Sequence, residues 1–254
     1  MIVSQKLKEF INRRSVASLK RYNIGKLNPD PISIFLEKCI FWANQGMIPN
    51  FKDPKNWCEF ICHRKFYGDY YALAKIADKV KVRSYVEERI GKLYLKEIID
   101  VVDSPREINL DRYSSYPKQF VVKPNHASER VFINKETNYP LFKEGICGFL
   151  DEFGNRNNEF HYKKIDKKLL IEEYLDPATT PLKEYKTWVF NGKAEIIVPS
   201  LSVHESKLSN DYRFRLYDRH WEEPEIQVRT NPAPFEKPPV QLSEIIKISE
   251  ELAK

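Results

Sequence analysis

The chain has 254 residues, of which 42% are hydrophobic and 31% charged, a composition that excludes a disordered polar tail and allows a full buried core. Its 42 basic and 36 acidic residues leave a net charge of +6, which suits a polyanionic ligand without singling out nucleic acid. There is no zinc-finger spacing and no RNP-like aromatic segment. No run reaches the length of a membrane span, and no apolar leader follows the first lysines, so a cytoplasmic protein with reduced cysteines is expected.

In chain order, residues 1–22 read as a basic, weakly amphipathic surface helix, with weak peripheral attachment to anionic lipid as the alternative. Asn28-Pro29-Asp30-Pro31 breaks the chain, and Asp30 is placed to cap a helix that begins at Pro31 and runs through Trp42. Asp53-Pro54 is expected to open the next helix, which extends to about Tyr67. Within it Cys58 and Cys62 lie four apart, on one face, and read as buried core thiols rather than metal ligands, since no second ligand pair lies nearby. Tyr70 to Arg89 reads as one or two helices ending at Gly91, and Ile98 to Val102 as a short strand.

From Phe120 the pattern changes to short apolar runs. Strands are expected at 119–123, 129–134, 168–175, 184–190, 194–201 and 211–217. A helix is expected over 140–153, with Pro140 at its start and Gly154 after its end. Asn191-Gly192 between two strand candidates is a hairpin-turn signal. Prolines 224, 232, 234, 238 and 239 make the region 218–239 mostly loop, and a closing helix begins at Ser243. The class is therefore α+β.

Few residues advertise chemistry on their own. Lys123 stands where an apolar strand ends at Pro124, placed either to offer a point charge to a phosphate or to be solvated at a strand edge. Of Glu172 and Glu173, one points inward in an extended strand. Glu184 and Lys186, two apart, share a strand face, where a salt bridge contributes little. His126 reads as a satisfied loop histidine. No Walker-type loop, GxGxxG or Ser-His-Asp spacing is found, and no DxD motif supports a glycosyltransferase.

Taken jointly and in order, the segments resemble the TupA-like ATP-grasp family of teichuronopeptide biosynthesis. The resemblance is carried by Ala77-Asp78-Lys79 with Val82-Arg83-Ser84-Tyr85-Val86, then by Phe120-Val121-Val122-Lys123-Pro124-Asn125-His126. It continues through Ile171-Glu172-Glu173-Tyr174-Leu175, Tyr185-Lys186 to Phe190-Asn191-Gly192, Tyr217-Asp218-Arg219-His220-Trp221, and Pro238-Pro239-Val240 leading into Ile245 to Leu252. It covers about four-fifths of the chain.

The resemblance implies an ATP-grasp-like α+β fold: a helical N-terminal segment (1–53), a helical or α+β lobe (54–118), a small ATP-grasp lobe (119–175) and an incomplete C-terminal lobe (176–254), with ATP held between lobes. It implies a carboxylate–amine ligase of surface-polysaccharide assembly, in which ATP activates a carboxylate and an amine attacks. The expected partners are ATP and a sugar or amino-acid substrate. By the same resemblance Lys79 or Arg83 and Lys123 contact phosphates, Glu172 sits at the adenine end, Glu184 lies near the ribose, and Lys186 adds charge. Two departures are noted. The family's glycine-rich loop is here Ala127-Ser128-Glu129-Arg130, whose backbone is more restricted. The family's magnesium-binding carboxylates would follow Lys254, so magnesium binding and phosphoryl transfer are expected to be weakened, leaving a non-catalytic nucleotide- or glycan-binding scaffold as the alternative.

Overall fold

Short apolar runs explain the central feature of the structure, a four-stranded antiparallel sheet in the order β1-β4-β2-β3. The strands are β1 (Ile98–Val102), β2 (Phe120–Pro124), β3 (Phe132–Asn134) and β4 (Leu169–Glu173). The structure is a computed structural model that describes residues 5–22, 28–127, 130–151, 159–176, 183–201, 214–226 and 232–254. The chain divides into two compact units, Met1–Arg83 with Lys96–Tyr174, and Ser84–Leu95 with Leu175–Lys254.

In the first unit, β2 pairs with β4 so that Val122 faces Ile171, Lys123 faces Leu170 and Pro124 faces Leu169. Directly opposed residues share a face, and successive residues alternate. Phe120, Val122, Leu169 and Ile171 therefore lie on one face, and with Val102 they join a single buried cluster. Helices α6 (Leu110–Ser114) and α7 (Tyr139–Gly145) complete that cluster with Tyr113 and Phe142, whose rings lie 4.8 Å apart. The other face carries Val121, Leu170, Lys123 and Glu172. A slip of one residue would exchange the two sets and bury the charges in the core, so the hydrophobic pattern holds the register.

The preceding helices are α1 (Gln5–Tyr22), α2 (Pro31–Gln45), α3 (Trp57–Tyr67), α4 (Tyr70–Ala77) and α5 (Val82–Ile90). Asp30 caps α2 by accepting the Ser33 amide at 2.9 Å, as its position before Pro31 predicts. Helix α3 begins later than expected, and its cap is Asn56, not Asp53. The cause is Glu59, whose carboxylate accepts the amides of Asn50 and Lys55, both at 2.8 Å, and so holds 50–55 in a turn outside the helix. Of the two thiols in α3, Cys62 is buried but Cys58 is exposed, which corrects half of that expectation. Burial pushes the Cys62 thiol up to about 12, with the Glu37 carboxylate adding to the shift.

The expected helix over 140–153 is also shorter. It ends at Gly145, turns follow, and Gly148 sits at a φ of 72° that interrupts helical continuation. Gly154 lies outside the described residues.

The second unit is built on the hairpin β5 (Lys183–Phe190) and β6 (Lys193–Leu201). Asn191 and Gly192 both have positive φ, 50° and 78°, as a tight hairpin turn requires. Its core joins Ile197, Tyr217 and Trp221 with Leu242 and Ile246 of α8 (Leu242–Leu252). The strand expected at 211–217 is seen only as an isolated bridge between Tyr217 and Ile197, and residues 211–213 lie outside the described set. No described helix is long and apolar enough to cross a membrane.

Candidate functional site

Lys123 is not at a strand edge. It lies on a strand flanked on both sides, and its ammonium forms an ion pair with the Glu172 carboxylate of neighbouring β4. The pairing follows from the register: Lys123 opposes Leu170, and Glu172 is two residues further along β4, on the same face. Glu172 is buried while Glu173 is only partly so, which decides which of the two carboxylates points inward.

Lys79 reaches the same place from another element. It follows the C-terminal residue of α4 by two positions, and its ammonium donates to the carbonyl of Ala127 at 2.6 Å. Burial and the neighbouring charge of Lys123 push its pKa below the ordinary lysine value, against the opposing pull of Asp78 and Glu172. Two lysines on separate elements are thus within electrostatic reach of each other, beside one buried carboxylate.

The turn carrying Lys79 is shaped by Asp78. Its carboxylate accepts the amides of Val80 at 2.9 Å and Lys81 at 3.3 Å, and its backbone carbonyl accepts the Val82 amide that starts α5. Asn125, immediately after β2, donates its side-chain amide to the same Asp78 carboxylate at 3.0 Å. Asp78 and Asn125 belong to segments that carry the family resemblance, which gives neither of them a place in the site. Short polar residues just after an apolar strand and just after a helix are the signal that could have found them, since such positions hold turns.

Arg83 is placed differently from the lysines: its guanidinium donates to the backbone carbonyl of Lys96. Glu184 and Lys186 lie in the second unit, both exposed on β5, opposite Ser200 and Val198. His126 is fully buried, with Nδ1 3.3 Å from the Asn125 side-chain oxygen, in keeping with its reading as a satisfied loop histidine. Of the loop that replaces the glycine-rich segment, Ser128 and Glu129 lie outside the described residues. Tyr217-Asp218-Arg219-His220-Trp221 is a structural turn: the Asp218 carboxylate accepts the amides of His220 and Glu222, each at 2.8 Å, and the Tyr217 and Trp221 rings stack at 4.2 Å.

The lysine pair could offer its positive charge to an anion such as a phosphate. The surroundings disfavour charge on Lys79, so an anion placed between Lys79 and Lys123 would stabilise both ammonium groups. Among the described residues no group of three or more His, Cys, Asp or Glu side chains could hold a metal ion.

A sequence model described as TupA-like ATPgrasp matches residues 59–254. No curated protein and no solved structure matches the chain.

Proposed function

The chain belongs to the TupA-like ATP-grasp family, and from that premise we propose that it is an ATP-dependent carboxylate–amine ligase acting in the assembly of cell-surface polysaccharide. Membership carries a general ATP-grasp ligase-like role, and with it nucleotide binding. The observation that supports the finer reading is the convergence of Lys79 and Lys123 beside Glu172.

In this reading Lys79 and Lys123 hold phosphate oxygens. Glu172, ion-paired with Lys123, fixes the direction of that lysine and accepts a hydrogen bond at the nucleoside end. Arg83 is an alternative phosphate contact to Lys79 and would have to release the Lys96 carbonyl to serve. ATP, a substrate here, supplies the phosphoryl group that activates a carboxylate for attack by an amine on a sugar or amino acid. The lysines neutralise charge on the phosphates, a contribution of position and electrostatics rather than of covalent chemistry. No step is routed through magnesium.

Calorimetric titration of the full chain with ATP, with and without magnesium, tests the reading. The informative variant is Lys123→Met combined with Glu172→Gln, so that no buried carboxylate is left without its cation. Loss of a charge-assisted contact should weaken ATP binding by about tenfold or more. Failure of the wild-type chain to bind ATP would sink the proposal. Binding without ADP release, over a panel of carboxylates and amines, would favour a non-catalytic nucleotide-binding scaffold instead.

A further inference from the structure

Asn125 is fully buried, and it joins three segments that are distant in sequence. Its backbone amide donates to the carbonyl of Lys168 at 3.0 Å, and its backbone carbonyl accepts the amide of Lys79 at 3.2 Å. Its side-chain oxygen accepts the Lys168 amide at 2.8 Å. Its side-chain nitrogen donates to the Asp78 carboxylate at 3.0 Å and to the carbonyl of Asp166 at 2.9 Å. A primary amide has two N–H donors and one acceptor oxygen, and here all of them are engaged within the protein.

The arrangement has a direction. Asn125 is two residues past Lys123 on the same strand exit. Through Lys79 and Asp78 it grips the turn between α4 and α5, and through Asp166 and Lys168 it grips the segment that enters β4, the strand of Glu172. The backbone and side chain of one residue therefore set the spacing between Lys79 on one side and the Lys123–Glu172 pair on the other. We propose that Asn125 is the positioning residue of the phosphate site, holding Lys79 at the reach of a phosphate that Lys123 also contacts. The proposal rests on the two-lysine reading given above. Asn125 acts through Lys79 and has no free donor to offer a ligand.

Aspartate at this position is nearly isosteric but cannot donate. In Asn125→Asp the new carboxyl oxygen meets two acceptors, the Asp78 carboxylate and the Asp166 carbonyl, where the wild type has two hydrogen bonds. Asp78 and His126 face it directly; Lys79 and Lys168, bonded to it through their backbones, interact with the Asp78 charge, and Asp166 offers its carbonyl while its carboxylate pairs with Lys81. Two carboxyls at hydrogen-bond distance do not both ionise easily, so one takes up a proton as pH falls, and the hydrogen bond between positions 125 and 78 is restored while the one to the Asp166 carbonyl stays lost.

The experiment compares ATP affinity of wild type and Asn125→Asp at pH 8.0 and 5.5, each as the ratio of variant to wild type, with thermal melts to show that both are folded. At the higher pH the variant should bind about tenfold more weakly, the scale found when the supporting partner of a metal-binding residue is lost. At the lower pH the ratio should move back toward one. An unchanged ratio, or a variant that binds as tightly as wild type at both values, overturns the assignment. Should wild type bind no ATP, or the Lys123→Met, Glu172→Gln variant bind normally, the phosphate-site reading itself fails and the assignment with it.

Amide hydrogen exchange on the wild-type chain gives a second measurement that needs no variant. The Lys79 and Lys168 amides should both exchange slowly and slow further together when ATP is added. A Lys79 amide that exchanges as fast as exposed ones, with ATP present, overturns the assignment.

Discussion

Lys79 holds its charge under opposing influences. Burial and the Lys123 ammonium push its pKa down, while the Asp78 and Glu172 carboxylates pull it back only in part. The free site therefore loses the Lys79 charge at a lower pH than an ordinary lysine would. ATP affinity should accordingly fall on the alkaline side before the usual lysine range is reached, and Lys79→Arg should move that limb upward, because a guanidinium stays charged. Titration calorimetry between pH 7 and pH 10 reads this directly, and coincident limbs in the two proteins would contradict it. None of this could be read from the local sequence, where Lys79 is one of many basic residues. Its partner Ala127 lies 48 positions away, and the bond from the Lys79 amide to the Asn125 carbonyl, just past β2, brings them together.

Elements with a clean repeat were the most legible. The apolar runs Phe120 to Val122 and Leu169 to Ile171 predict β2 within a residue and β4 within two, and Asn191-Gly192 predicts the hairpin turn. Boundaries governed by remote side chains were not legible: Glu59 moves the start of α3 by holding a turn that precedes it, and Gly145 ends α7 early. Gly145 has a second reason to be glycine. A Cβ there would meet the ring of Phe132 at 2.0 Å, and Phe132 packs edge-on against the buried Phe142. Gly145→Ala should therefore destabilise the first unit by about 1–3 kcal/mol through overpacking, although alanine is the better helix former. Chemical denaturation measures the change, and a neutral or stabilising result would show that β3 yields without cost. The same logic separates the site from the core: one face of β2 and β4 carries Phe120, Val122, Leu169 and Ile171, with Glu173 only at its end, and the opposite face is the one on which Lys123 and Glu172 could be placed.

Across the whole molecule the excess of basic residues is spread thinly, and the net charge of +6 acts on a ligand such as ATP in addition to the two lysines at the site. Raising sodium chloride from about 50 to about 500 mM shortens the screening length from more than 10 Å to below 5 Å. ATP affinity should weaken several-fold over that range while adenosine affinity stays level, and a salt-independent ATP constant would argue against phosphate contacts at Lys79 and Lys123. Each of the two units has its own apolar clusters, with Tyr217 and Trp221 stacked in the second as Phe120 and Phe142 are packed in the first. The order of strands in the first unit has a further consequence for behaviour in a crowded solution. Among the described residues β1 and β3 are the outermost strands of the sheet. β3 is only three residues long, and β1 carries an irregularity between Ile98 and Asp100, with Asp100 clamped by the Arg112 guanidinium through two hydrogen bonds of 2.7 and 2.8 Å. A short strand and an irregular one bearing a fixed charge are both poor templates for a strand from another chain. The sheet that presents Lys123 and Glu172 is thereby guarded at its margins against accretion into filaments, and these two central residues need no such protection of their own.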